Sequence, residues 1–317
     1  MNTTPSTIEL DLSDALLSAD GYGLNNGKMG LCIAYFLNGS NGHRPDATQK
    51  ATALLDEVAE NIALVEEYSF NDGLIGIGWA IEFLAQNNFI EVNTDDFLED
   101  LDDELYKLIM YSKAPSIDLN TGTLGRMLYL YKRLTAQNPE RNFYKEICNK
   151  ECMVLLIDEL YESLISDENS VLNQDFNQLE EETIITISQS LIMACKLLPL
   201  QLNFSLLNEI ICKITSKIEA HFSNPSMEKA TDNSRFLWLL NGWYEAGLSL
   251  NIKEWKEKAS IEIENPGQTF HSDEQAFILN KFKHTEVSFP RNSLLNTLWS
   301  VSADNHDHSW SEAWLLQ

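Results

Sequence analysis

An all-α chain folded as an α/α toroid, a ring of about six helical hairpins with inner and outer helices alternating, is what this sequence predicts. Three observations predict it. A Gly-x-x-Gly pattern opens three strongly apolar segments at near-constant spacing. Amphipathic segments fill the intervals between them. Strand signals are sparse, because β-branched runs are short and dipeptides such as Asn41-Gly42 lack alternating apolar flanks.

In chain order, the first pattern is Asn26-Gly27-Lys28-Met29-Gly30 followed by LCIAYFL, and the second is Asp72-Gly73-Leu74-Ile75-Gly76 followed by IGWAIEFL. The third is Thr121-Gly122-Thr123-Leu124-Gly125 followed by RMLYLYKRL. Gly27, Gly73 and Gly122 stand 46 and 49 residues apart, the length of one helical hairpin with its turns. A residue without Cβ lets the turn adopt positive φ and lets the next helix start against its neighbour's backbone. The post-glycine segments are apolar on most sides, as inner helices require. In DDFLEDLDDELYKLIMY, by contrast, Phe97, Leu98, Leu101, Leu105, Leu108 and Ile109 mark one face and acids fill the other, the pattern of an outer helix with a solvated acidic face. Beyond residue 170 the glycines fade, but the period continues through EETIITISQSLIMACKLL, SRFLWLLNGWYEAGLSL and DEQAFILNKF. Short loops and the lack of a Pro/Gly/Ser-rich linker favour a single domain over residues 1–317. Closing the ring would bury faces that a short open array leaves exposed.

Composition narrows the partners. Forty-eight Asp and Glu against 22 Lys and Arg give a formal charge of -26, which disfavours nucleic acid and anionic membrane surfaces. A basic peptide leader, a cation or a basic protein surface suits that charge better. The N-terminus MNTTPSTIELDLSDALLSAD has neither a basic nor an apolar targeting region, and the expectation is a cytoplasmic protein. Cys32, Cys148, Cys152, Cys195 and Cys212 are odd in number and read as reduced core thiols.

Asn25-Asn26-Gly27-Lys28-Met29-Gly30-Leu31 and Asn71-Asp72-Gly73-Leu74-Ile75-Gly76-Ile77-Gly78-Trp79 resemble the repeats of lanthionine synthetase C-like proteins, with 121–125 a weaker copy. The resemblance covers the first half by motif and the rest by period. It implies a helical toroid and a place in the modification of ribosomally made peptides, with a peptide or a modifying enzyme as partner. The family's cyclases hold zinc with two Cys and one His, so that a peptide thiol binds the metal, loses its proton and attacks a dehydrated Ser or Thr. Here no Cys lies beyond Cys212, and no Cys-His pair occurs. The segment most like the first zinc turn, 242–247, keeps Gly242, Trp243, Tyr244 and Gly247 without a Cys. Ser69 and Thr121 stand where the cyclases carry Asp and His. The resemblance therefore leads to a zinc-free relative that has no cofactor and lacks the family's catalytic residues.

Candidate binding residues are Asn71 and Asp72, at the mouth of an inner helix, and the aromatic residues Trp79, Trp238, Trp243 and Tyr244, which could line a groove for peptide or sugar. The Asn71 and Asp72 side chains also suit helix capping. Gly27, Gly30, Gly73, Gly76, Gly122 and Gly125 are structural. His306 and His308, with Asp304 and Asp307, and more remotely His271 with Asp273 and Glu274, form the densest set of potential metal ligands. Cys148 and Cys152 share one helical face, but zinc needs three or four ligands. Two alternatives stay open. One is a toroidal glycosidase or lyase using carboxylates from Asp72, Asp118, Glu182 or Glu245; the other is a cyclase with an unconventional metal site.

Overall fold

The computed structural model describes residues 12, 19, 21–25, 27–42, 45–139, 142–166, 170–223, 234–264, 271–282, 287–289, 293–302 and 308–317. Among them no strand occurs, and one isolated bridge joins Gly21 to Gly27. The α-helices in chain order are α1 (Lys28–Gly42), α2 (Pro45–Asn61), α3 (Leu74–Gln86), α4 (Thr94–Phe97), α5 (Glu99–Tyr111), α6 (Thr123–Thr135) and α7 (Phe143–Tyr161). They continue with α8 (Glu181–Leu197), α9 (Phe204–Phe222), α10 (Leu237–Ser249), α11 (Lys253–Glu264), α12 (Asp273–Phe282) and α13 (Leu294–Ser302). All six segments with the inner-helix pattern are helical: α1, α3, α6, α8, α10 and α12. Contacts divide the chain into two compact units, one of Met1–Tyr111, Leu128–Asn149 and Arg291–Trp310, the other of Ser112–Met127, Lys150–Pro290 and Ser311–Gln317.

In the first unit α1 packs against α2, α3 and α13. The glycines explain how closely these pieces approach. A Cβ on Gly30 would lie 2.0 Å from the Leu24 carbonyl oxygen and 2.3 Å from Leu294 of α13, and one on Gly76 would lie 1.7 Å from the Phe70 carbonyl oxygen. The loops before α1 and α3 are joined by backbone, with the Leu24 and Asn25 N–H groups donating to the Asn71 carbonyl at 2.7 and 2.8 Å.

α3 is buried along its length, and one of its buried residues is Glu82. Its carboxylate accepts a hydrogen bond from Arg133 Nη1 at 2.5 Å. The same guanidinium donates from Nη2 to Asp102 at 2.8 Å and to Asp95 at 3.0 Å, and from Nη1 to Thr94 at 3.1 Å. The Tyr129 hydroxyl donates to Asp102 at 2.6 Å. One cation thus ties α3, α4, α5 and α6 together. Burial opposes the Arg133 charge, but the hydrogen bonds and charge of Asp102, with Glu82, outweigh it and hold the group above its ordinary pKa. Burial likewise pushes the Asp95 carboxyl up, yet the Asn142 N–H, the Arg133 charge and the Asn138 amide together bring it below the usual value.

Two readings of the acidic segment are corrected here. Asp102 belongs to the buried network and not to the solvated face, although Glu99, Asp100, Asp103 and Glu104 are exposed as expected. Phe97 is exposed rather than part of the apolar face, because the chain breaks helical register at Leu98 between α4 and α5.

In the second unit α10 packs against α8, α11 and α12. Gly242 allows the α8 contact, since a Cβ there would meet Ser188 Oγ at 2.6 Å, and that hydroxyl donates to the Trp238 carbonyl at 2.5 Å. The stretch Glu181–Leu200 has the length and apolar composition of a membrane span, with a mean hydropathy of 1.5 in its most apolar window. Two thirds of that window is buried inside the fold, as in the core helix of a globular unit. All five cysteines are free; Cys212 is exposed on α9, a correction to its expected place among the core thiols.

Candidate functional site

The second unit gathers polar side chains where the sequence alone shows mostly apolar helices. Gln189 and Lys196 stand seven residues apart on α8, and Asn241 and Glu245 four apart on α10, so each pair shares a helical face. α12 contributes Lys281. These side chains surround the segment Ser311–Gln317, in which Ser311 to Leu316 are buried. Leu315 takes a left-handed conformation at φ 49°, an uncommon one for a branched residue.

The segment is held mainly through its backbone carbonyls. Gln189 Nε2 donates to the Trp314 carbonyl at 3.0 Å, and Asn241 Nδ2 and Lys281 Nζ donate to the Leu316 carbonyl at 3.1 and 3.2 Å. Lys281 is also ion-paired with Glu245, and Lys196 meets Glu312 at 3.1 Å. Burial lowers the Lys281 pKa against the opposing pull of Glu245. Burial, reinforced by the Glu245 charge, pushes the neighbouring Cys195 thiol up to about 12, so it stays protonated near neutral pH and is a poor nucleophile. The cluster therefore holds the chain's own segment 311–317 through its backbone carbonyls, and its thiol is not suited to nucleophilic attack.

Replacing Lys281 with methionine removes the partner of a buried carboxylate and one of two donors to the Leu316 carbonyl. The side chain is partly exposed, which tempers the effect, and the expected loss is about 2 kcal/mol in a urea titration. Lys281→Arg should retain most of the stability.

The sequence-selected residues fall in several places. Trp79 and Trp243 are fully buried, which corrects the expectation of groove-lining aromatics: large apolar rings on inner helices are taken up by the core. Trp79 stacks on Phe83 at 5.4 Å and meets Phe70 edge-on at 6.1 Å, with Lys132 Nζ 5.4 Å from its ring. Trp238 is likewise buried. Tyr244 is half-buried and meets Phe282 edge-on at 4.5 Å. Asn71 supplies its carbonyl to the loop before α1, and Asp72 is exposed. At the first glycines a Cβ would meet loop backbone, 2.4 Å from Gly23 N for Gly27, 2.3 Å from Glu67 O for Gly73 and 2.5 Å from Asp118 N for Gly122. Gly125 is buried in α6. Ser69 is buried and Thr121 exposed.

Of the potential metal ligands, His306, Asp304 and Asp307 lie outside the described residues. His308 stacks on Trp299 at 4.6 Å, whereas His271 is exposed in the other unit, its N–H donating to Gln275 at 2.7 Å. Among the described residues no group of three or more His, Cys, Asp or Glu side chains could hold a metal ion. The carboxylates of the glycosidase alternative are engaged or exposed: Glu245 by Lys281, Asp118 by the N–H groups of Asn120 and Thr121 at 2.7 and 2.9 Å, Glu182 and Asp72 at the surface.

A cleft of about 410 Å³ lies between Asp175, Phe176, Lys217 and His221. Lys217 already donates to the Leu172 carbonyl at 2.6 Å, and burial lowers the pKa of His221 among Phe176, Phe222 and Phe236. Sequence reasoning passed over Gln189, Asn241, Lys281 and Arg133. A polar or charged residue isolated within an apolar helix, as Glu82 is in IGWAIEFL, was the available signal.

Helices of mainly apolar and of amphipathic character alternate along the chain, and the fold they define is the α/α toroid. Among solved structures, a nisin cyclase has this fold, with a TM-score of 0.63 over 98% of this chain and 96% of that one, at 12% sequence identity. No family model matches the chain, and no curated protein does.

Proposed function

We propose that this chain is a lanthionine synthetase C-like protein of ribosomal peptide modification, acting in the cytoplasm as a single domain that binds a peptide or a modifying enzyme without zinc chemistry. The observation that carries the proposal is the donor set of Gln189, Asn241 and Lys281, which holds main-chain carbonyls of the chain's own segment 311–317 in a manner that would suit a peptide and is indifferent to most side chains. The fold shared with nisin cyclase supports the pathway by analogy. The charge of -26 suits a basic leader.

The residue inventory argues against zinc. The cyclases' metal takes two Cys and one His, whereas here no Cys lies beyond Cys212 and no Cys-His pair occurs. Metal analysis of protein purified without chelator should give well under one zinc per chain, and a peptide with a basic leader should bind it in a salt-sensitive titration. Stoichiometric zinc would restore the cyclase reading, and an absence of binding by both leader peptide and modifying enzyme would end the binding-protein reading.

A further inference from the structure

Arg126 is the fourth residue of α6, directly after the glycine that closes the third repeat. Its residue surface is 6% exposed, and two guanidinium nitrogens, Nε and Nη1, are sealed from solvent without a hydrogen-bond partner among the described residues. Only Nη2 escapes that seal. Arg133, two turns along the same helix, shows how this protein treats a buried guanidinium that serves the fold: it supplies three carboxylates. Among the described residues Arg126 receives none at bonding distance, in a chain whose acids outnumber its bases 48 to 22.

The nearby acids are already engaged. Glu159, the charge that acts on Arg126, accepts the Ala114 N–H at 2.7 Å. Asp118 is turned into its own loop, where it accepts from the Ser116 hydroxyl and from the Asn120 and Thr121 N–H groups. A helical side chain leans toward the N-terminus of its helix, which directs Arg126 toward the positive end of α6. A buried cation with orphan donors is costly unless an anion completes it.

We infer that Arg126 is the anchor of an oxyanion-binding site at the start of α6, and that its ligand is a carboxylate. The planar guanidinium matches a carboxylate with paired N–H donors, which a lysine cannot reproduce. The site is independent of the peptide-carbonyl cluster, and its test does not depend on that reading.

Thermal unfolding of the full chain in acetate, phosphate or chloride at matched ionic strength tests it, with Arg126→Met and Arg126→Lys beside the wild type. Acetate should raise the wild-type Tm by about 2 °C at ten times its Kd, and by a further, roughly constant step for each tenfold beyond that. Arg126→Met should show no such rise, and without anion it should unfold at or above the wild-type temperature, because an uncompensated buried charge has gone. Arg126→Lys should require about tenfold more acetate. A Met variant that fails to fold or melts well below wild type would assign Arg126 to the fold and overturn the inference. So would a wild-type Tm that does not respond to acetate, and a Tm rise with phosphate alone would overturn the carboxylate assignment.

Discussion

Arg133→Met is expected to destabilise the protein by about 3–5 kcal/mol, read as a lower urea midpoint. The guanidinium is the shared donor to Glu82, Asp95 and Asp102, and methionine fills much of its volume while leaving three acidic groups facing one another. The pH dependence should separate this cause from simple repacking. In the wild type the folded-state pKa of Asp95 lies below its ordinary 3.8. Its contribution is therefore present above that value and is lost as pH falls through the folded pKa. In the variant, buried carboxylates without a counter-ion favour their neutral form, so the folded state binds more protons than the unfolded chain. Its stability should rise as pH is lowered from neutral toward 5, opposite to the wild-type trend in acid. Equal slopes for the two proteins would mean that the charge network is not the source of the loss.

Gly76→Ala is expected to cost about 3 kcal/mol or prevent folding, although alanine is the better helix former. The added methyl would stand 1.7 Å from the Phe70 carbonyl oxygen, and that oxygen belongs to backbone, which cannot rotate aside as a side chain can. The loop and the first turn of α3 would have to separate. Gly78→Ala should be milder, since the nearest atoms are side-chain atoms of Leu101 and Tyr129 at 2.5 and 2.8 Å. Gly21→Ala, whose methyl would have nothing within 4 Å, should be close to neutral. A Gly76 variant as stable as the Gly21 variant would show that the repeat's second glycine is not required by close packing.

Both predictions bear on how much of this protein its sequence discloses. The glycine spacing and the apolar segments after each pair were enough to locate α1, α3 and α6, and the continued period located α8, α10 and α12, because helix formation and burial follow from local pattern. α13 escaped, since TLWSV within Leu294–Ser302 is short and lacks the glycine opening. That no Cys lies beyond Cys212 and that no Cys-His pair occurs was equally readable, as it concerns which residues are present and not where they lie.

The polar interior belongs to the tertiary structure alone. Glu82, Asp102 and Arg133 come from three separate helices, and Gln189, Asn241 and Lys281 from three others, so no local periodicity connects them. The aromatic residues show the same division: Trp79 and Trp243 announced themselves by type, but only packing decided that their rings serve the core. Sequence determined the helices and their repeat, because these are properties of neighbouring residues. Which buried charge found a partner among the described residues, as Arg133 did and Arg126 did not, was decided by distances between chain segments far apart in sequence.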